Sequence, residues 1–211
     1  MARPALLDAI TTIAQPVVTS LGLEIWGIDI LQSGRAVVRI FVDVPLEKQQ
    51  KNDKAHGLSE GEEGFPLSAT IDQCEEISRH VGLTLEVEDV IPTAYVLEVS
   101  SPGLTRLIFK LEQLQRFVGE FIEASLIDPL PELGTRKRFK GLLRSVEDQS
   151  FTLELCDLSP EGAVLPLGQT VCLPWEQCRK VSKVHIFAQP AKPGKAPKQP
   201  KPEKKTTKKE Q

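Results

Sequence analysis

The sequence lacks the patterns that mark membrane proteins, secreted proteins and zinc-binding modules. No apolar run approaches the roughly 20 residues that a membrane-spanning helix needs. The N-terminus leads into an amphipathic pattern without the continuous apolar core of a signal peptide. The four cysteines form no Cys-x-x-Cys pair, which argues against a zinc knuckle or a disulfide framework. We therefore expect a cytoplasmic protein with reduced thiols and no membrane partner.

Motifs for catalysis are missing as well. There is no glycine-rich phosphate loop of Walker or Rossmann spacing. His56, His80 and His185 are far apart in sequence, and none has a cysteine or carboxylate at metal-ligand spacing. Ser100 and Ser101 do not lie in a nucleophile-elbow pattern. We therefore predict a protein that is not an enzyme, with no catalytic residue, no metal and no cofactor.

Charge is distributed unevenly along the chain. Residues 188–211 contain eight Lys and two Glu, which gives them a net charge of +6. Because the net charge of the whole chain is −3, residues 1–187 carry a net charge of −9. An acidic body repels phosphate on average and attracts basic proteins. The composition thus favours a basic protein partner, although local basic patches can still bind nucleic acid.

Two amphipathic helices are predicted in the first half of the chain. The first has one apolar face, formed by Leu6, Ile10, Ile13, Val17 and Leu21. The second begins at Thr70, because Thr70 and Gln73 fit a capping box in which each side chain satisfies a backbone donor of the other residue. We expect it to end at Gly82.

Alternating apolar residues predict three strands in the same half. Residues 24–31 and 35–43 form a hairpin, and residues 95–100 form a third strand. With the two helices, this gives an α+β fold class: an αββαβ domain over residues 1–103, with a three-stranded sheet and both helices on one face. Residues 47–66 offer little to bury and are predicted to be a mobile insertion.

In the second half of the chain, apolar residues recur at a period of two, which is typical of strands. Five short strands are predicted, over residues 121–127, 139–146, 151–156, 170–173 and 180–187. Five short strands without a long helix between them favour a small closed β-barrel over residues 104–187. The Lys/Pro alternation of 188–211 predicts a disordered tail, which is either a solubilising segment or an electrostatic tether to RNA phosphate.

Ser101-Pro102-Gly103-Leu104 lies between the two predicted domains. Pro presets the first central φ of a type II turn, and Gly supplies the positive φ at the second. This turn either locks the two domains together or displays a binding site at their joint.

A basic cluster, Arg136-Lys137-Arg138-Phe139-Lys140, lies in the second domain, with further cations at Arg144, Arg179, Lys180 and Lys183. On a strand, Arg138 and Lys140 share one face while Phe139 points to the other. The cationic face is either a phosphate-binding surface or an ordinary solvated strand face.

The segment Leu97-Glu98-Val99-Ser100-Ser101-Pro102-Gly103-Leu104, followed by Arg106, closely resembles the signature of the bacterial ribosome maturation factor RimP family. Weaker matches run through residues 5–187, among them Arg39–Asp43, Arg116–Gly119 and Phe139–Leu143. One departure concerns the position after Gly103-Leu104, where the family usually has Asp-Arg-Pro-Leu and this chain has Thr105-Arg106-Leu107-Ile108. The carboxylate expected beside Arg106 is therefore missing from the sequence signature.

The resemblance implies an SH3-like, Sm-like barrel after the αββαβ domain. It also implies a non-enzymatic factor that binds the immature 30S ribosomal subunit, and we expect this factor to be a monomer. The implied partners are a basic small-subunit ribosomal protein near the decoding region and 16S rRNA. The candidate ribosome-binding residues are Ser100, Ser101, Pro102, Gly103, Arg106, Arg138 and Lys140. The alternatives are an Sm-like RNA-binding regulator and a protein–protein adaptor unrelated to ribosomes.

Overall fold

The computed structural model describes residues 3–45, 68–159 and 162–186. The predicted insertion over 47–66 and the tail over 188–211 lie outside these residues. Within the described ranges, no helix is both long enough and apolar enough to cross a membrane.

The first half folds as predicted into an αββαβ unit. Its elements are α1 (Arg3–Ser20), β1 (Glu24–Ser33), β2 (Arg35–Asp43), α2 (Ile71–Val87) and β3 (Tyr95–Ser100). The sheet order is β1-β2-β3. Strands β1 and β2 are antiparallel, whereas β3 runs parallel to β2, with Val38 opposite Leu97.

Both helices of this unit bury one apolar stripe. Helix α1 contributes Ile10, Ala14 and Val18, helix α2 contributes Ile77, Val81 and Leu85, and β2 contributes Val38, Ile40 and Val42, all of them buried. Such burial contributes about 25 cal/mol per Å² of apolar surface removed from water, and it stabilises both helices more than their intrinsic propensity does.

Helix α2 begins as predicted and ends later than predicted. The Thr70 Oγ1 accepts a hydrogen bond from the Gln73 backbone N–H, and the Thr70 N–H donates to Gln73 Oε1, so the capping box is confirmed. The expected end at Gly82 is wrong, because the helix continues to Val87. A helix interior tolerates one Gly at about 1 kcal/mol when packing supports the flanking turns, and Val81 and Leu85 supply that packing.

The second half forms a six-stranded antiparallel sheet. Its strands are β4 (Arg106–Ile108), β5 (Phe121–Leu126), β6 (Arg138–Val146), β7 (Ser150–Leu158), β8 (Val164–Pro174) and β9 (Cys178–Lys183). Their order is β4-β9-β5-β6-β7-β8. The five predicted strands are present, and β4 is an additional short strand. Closure into a barrel is not observed among the described strands, since the edge strands β4 and β8 do not pair with each other.

Gly141 in β6 lies directly against the backbone of β7. A Cβ at this position would lie 2.0 Å from the carbonyl oxygen of Glu154 in β7. We expect Gly141→Ala to destabilise the protein by about 1–3 kcal/mol or more, because backbone atoms must move to relieve the clash. Urea unfolding of the variant measures this cost, with Gly82→Ala as a control, since a Cβ there would make an ordinary contact of 3.6 Å with Leu97 Cδ2. An unchanged midpoint in Gly141→Ala would contradict the expectation.

Candidate functional site

Trp26 connects the two sheets. It lies on β1, yet its side chain is 1% exposed and packs into the core of the second sheet, with its ring edge-on to Phe117 at 6.2 Å between centroids. The indole Nε1 donates a hydrogen bond of 2.7 Å to the carbonyl oxygen of Leu107 in β4. The indole therefore joins the two halves of the chain by apolar contact and by a hydrogen bond.

Two arginines from the second half stack on Trp26. The guanidinium carbons of Arg106 and Arg116 lie 5.6 and 5.1 Å from the ring centroid. Each guanidinium also pairs with a carboxylate of the first half: Arg106 Nη1 with Asp43 Oδ2 at 2.5 Å, and Arg116 Nη2 with Glu24 Oε1 at 3.1 Å. We call these five residues the Trp26 joint.

The Asp43–Arg106 pair is the most buried ion pair of the joint. The Asp43 side chain is fully buried and that of Arg106 is 20% exposed. Asp43 lies at the end of β2, on the face opposite to Val38, Ile40 and Val42 and shared with Phe41, which packs on the core of the second half. It supplies from another strand the carboxylate that the sequence signature lacks beside Arg106. Sequence reasoning missed Asp43; the signal was a carboxylate directly after the buried Val42.

The turn after β3 contacts the same arginine. Gly103 has a φ of +73°, as the predicted turn requires, and its carbonyl oxygen accepts a hydrogen bond of 3.0 Å from Arg106 Nε. Pro102 is buried, Ser101 is half-buried, and only Ser100 and Gly103 of the predicted site residues in this turn are exposed. The turn and Arg106 are thus brought together, at the joint between the sheets.

Close packing and one bridging amide complete the joint. A Cβ on Gly27 would lie 2.1 Å from the ring of Phe109, which also packs on Phe41 at 5.7 Å. The Gln113 side chain donates to the Trp26 carbonyl oxygen at 2.7 Å and accepts from the Phe109 backbone N–H at 2.8 Å. These contacts pack the two sheets closely against each other where Trp26 lies.

A cleft of about 650 Å³ opens beside the joint, between β1 on one side and β4 and β9 on the other. Cys178 lines it, and burial raises the pKa of this thiol to about 11. A thiol with that pKa is protonated at neutral pH and is a poor nucleophile. Among the described residues, no group of His, Cys, Asp or Glu could hold a metal ion.

The second predicted site is a basic face of the six-stranded sheet. Strand β5 lies between β6 and β9, and Ser125 of β5 is opposite both Arg138 of β6 and Lys180 of β9. Directly opposed residues share a face, so two cations that are 42 positions apart in sequence lie about 10 Å apart. Both side chains are exposed, and neither forms an ion pair with the residues that the structure describes.

Other cations of this face are already paired. Lys140 lies 3.7 Å from Glu123 on β5, and Arg144 pairs with Glu154. Arg136 stacks on Phe139 at 5.2 Å and donates to the Arg138 carbonyl oxygen. Of the two predicted ribosome-binding residues on this face, Arg138 and Lys140, Arg138 is thus the more available for a phosphate. Lys180 lies on the same face and is available as well.

The chain is similar to the members of one protein family over most of its length. A family model described as RimP N-terminal domain matches residues 13–105. The ribosome maturation factor RimP of Desulfovibrio desulfuricans is 44% identical, with 92% of this chain and 86% of the relative covered. The protein of the same name from Nitratidesulfovibrio vulgaris strain DP4 is 46% identical, with 90% of this chain and 96% of the relative covered. The one from Lawsonia intracellularis is 37% identical, with 91% of this chain and 93% of the relative covered.

Proposed function

Because the chain belongs to the RimP family of ribosome maturation factors, we propose that it promotes assembly of the 30S ribosomal subunit by binding the immature particle. The proposal includes two kinds of contact: one with a basic small-subunit ribosomal protein near the decoding region, and one with 16S rRNA. The chain acts in the cytoplasm as a monomer and supplies binding rather than catalysis.

The observation that carries this proposal is the separation of charge between the two halves. Residues 68–104, which include α2 and β3, contain seven acidic residues and one basic residue, and all seven acids are exposed. The basic face of β5, β6 and β9 lies in the other half. An acidic surface attracts a basic protein, and a cationic face attracts phosphate. One protein with both surfaces suits a particle made of RNA and basic proteins.

The domain assignment follows the two sheets. We propose residues 1–103 as an α/β domain and residues 104–187 as an SH3-like domain, with residues 188–211 as a basic tail. The Trp26 joint holds the two domains at a fixed angle, so that the acidic and basic surfaces engage the particle together. In this proposal Ser100, Ser101, Pro102, Gly103 and Arg106 contribute to ribosome binding by fixing that angle.

The rRNA contact predicts a salt-dependent loss in a double variant. We expect Arg138→Ala/Lys180→Ala to weaken binding to precursor 30S particles and to lower the slope of log K against log[salt] by about 2, one unit per phosphate contact. Arg144→Ala is the matched control, since Arg144 is already paired with Glu154. An unchanged slope in the double variant would contradict the rRNA contact of this face.

A binding comparison separates the proposal from an RNA regulator. Filter binding with naked single-stranded RNA and with precursor 30S particles, at the same salt concentration, gives both affinities. We expect tight binding to the particles and weak binding to the naked RNA, because the acidic surface of α2 and β3 repels phosphate. Tight binding to naked single-stranded RNA, without a preference for particles, would favour the Sm-like regulator.

A further inference from the structure

We propose that the free edge of β3 binds an extended Lys/Arg-rich segment of the partner protein, which adds to the three-stranded sheet as a fourth strand. The identity of the partner as a ribosomal protein rests on the proposed function. The docking mode rests on the unpaired edge, on the groove beside it and on its charge.

Strand β3 is an edge of the three-stranded sheet, and its sequence carries none of the usual blocks against pairing. It pairs with β2 alone, and its six residues, Tyr95 to Ser100, include no Pro and no Lys. Natural edges are usually blocked by such residues or covered. Strand β8 carries Pro166 and Pro174, β4 has three residues, and β1 is covered where the Trp26 carbonyl accepts from Gln113. Among the described strands, β3 is thus a six-residue edge that carries neither Pro nor Lys.

A groove runs between this edge and helix α2. It contains spaces of about 610 and 330 Å³, which share Ser78 and Leu97 in their lining. The helix lines it with small residues one turn apart: Cys74, Ser78 and Gly82. The helix and the strand are close here, because a Cβ on Gly82 would lie 3.6 Å from Leu97 Cδ2. Because the helix presents only small side chains here, the two spaces have room for the side chains of an added strand.

The two faces of β3 define what such a strand must present. Tyr95, Leu97 and Val99 are half-buried on the helix side, while Val96, Glu98 and Ser100 are exposed on the open side. Side chains of an added strand alternate in the same way. Those over the groove must be small and apolar, and those on the open side lie in the field of Glu98.

The charge around the edge selects a basic strand. Glu75 and Glu98 line one space of the groove and Glu86 lines the other. Three arginines offset part of this charge: Arg79 and Arg39 pair with Glu75 and Glu98, and Arg35 lines the second space and donates to the Tyr95 carbonyl oxygen at 3.4 Å. Four further exposed acids, Asp72, Glu76, Glu88 and Asp89, remain on or next to α2. An excess of exposed carboxylates attracts a Lys/Arg-rich segment and repels nucleic acid.

The test uses the full chain and an eight-residue peptide of alternating Arg and Val, capped at both ends. We expect hydrogen–deuterium exchange of residues 95–100 to slow when this peptide is added, with no change in β8. A Glu/Val peptide should have no effect. Two versions of the peptide with methylated backbone nitrogens test whether it binds as a strand. In one version every Val is N-methylated and in the other every Arg, so the two versions block opposite hydrogen-bonding edges of the extended peptide. Strand addition predicts that one version binds and the other does not; equal binding of both versions, or of neither, overturns it.

Matched charge variants test the groove. Glu75→Gln/Glu86→Gln should weaken binding of the Arg/Val peptide by about fivefold, as expected from two exposed charges. Glu112→Gln/Glu132→Gln removes two exposed carboxylates from the other half of the chain and should leave the affinity unchanged. Equal effects of the two pairs would mean attraction by net charge, and would overturn the site.

Other occupants of the edge give distinct outcomes, and each of them overturns the proposal. Exchange in residues 95–100 that slows as protein concentration rises, together with a dimer in sedimentation, would assign the edge to a second copy. If exchange in residues 95–100 is already slow in the dilute free protein, and the peptide does not change it, the edge would be assigned to another segment of this chain. Slowing by single-stranded RNA would assign it to nucleic acid.

A particle assay separates this inference from the proposed function. Pelleting of the wild-type protein with precursor 30S particles tests the function alone. If the wild type pellets but the peptide fails the methylation test, the docking mode is wrong and the function stands. If the peptide passes and the wild type does not pellet, the edge is a basic-peptide site and the function is wrong.

Discussion

Arg106→Ala is expected to lower the free energy of unfolding by about 3–5 kcal/mol, the cost of leaving one partner of a buried ion pair uncompensated. The Asp43 carboxylate is fully buried, and its Oδ2 is held by Arg106 while its Oδ1 has no hydrogen-bond partner among the described residues. Without the guanidinium, the carboxylate has neither water nor a countercharge. Urea unfolding followed by circular dichroism measures the loss.

The controls for Arg106 are an exposed ion pair elsewhere in the chain and the removal of its own partner. Arg79→Ala removes an exposed pair with Glu75, and we expect a change of no more than about 0.5 kcal/mol. In the double variant Arg106→Ala/Asp43→Ala the charge is gone, so part of the loss should be recovered. A single variant that unfolds like the wild type but no longer binds precursor particles would contradict the lock and assign Arg106 to the binding surface.

Trp26→Ala is expected to cost about 3–5 kcal/mol, typical of deleting a buried aromatic side chain. The ring packs on Phe117, carries the guanidinium groups of Arg106 and Arg116, and donates its N–H to Leu107. Its removal leaves a cavity between the two sheets. We therefore expect both lower stability and greater freedom between the two halves, measured by calorimetry and by small-angle X-ray scattering.

A milder variant divides the role of Trp26 into its parts. Trp26→Phe keeps an aromatic ring but leaves the Leu107 carbonyl without its donor, which costs about 1–3 kcal/mol for an unsatisfied buried group. Trp175→Phe is the control, because Trp175 is half-buried and packs on Phe151 within the second half of the chain. A Trp26→Ala variant as stable as the wild type would contradict the joint as a source of stability.

Local patterns in the sequence predicted most of the secondary structure. The αββαβ order, the capping box at Thr70 and the positive φ of Gly103 are confirmed, because each depends on neighbouring residues or on one period. The end of α2 was wrong since Gly82 acts locally as a breaker, whereas the packing of Val81 and Leu85 is tertiary. Strand β4 was missed because three residues are too few to show a period.

Contacts between distant segments could not be predicted in the same way. Asp43 and Arg106 are 63 positions apart, and only the paired sheets bring them together. Trp26 lies on β1, and nothing in the sequence of β1 alone shows that its side chain enters the core of the other half. The grouping of Arg138 with Lys180 likewise depends on β5 lying between β6 and β9. Such pairings follow from topology, which one sequence does not specify.

The most direct test of the account is sedimentation of a cell lysate through a sucrose gradient, with the protein detected by immunoblot. We predict that it migrates with free 30S particles and is absent from 70S ribosomes and polysomes, because an assembly factor must leave before translation. Arg138→Ala/Lys180→Ala should shift the protein toward the top of the gradient, while Arg144→Ala should not. Wild-type protein found only at the top, in low salt as well as in high salt, would contradict a role in maturation of the small subunit.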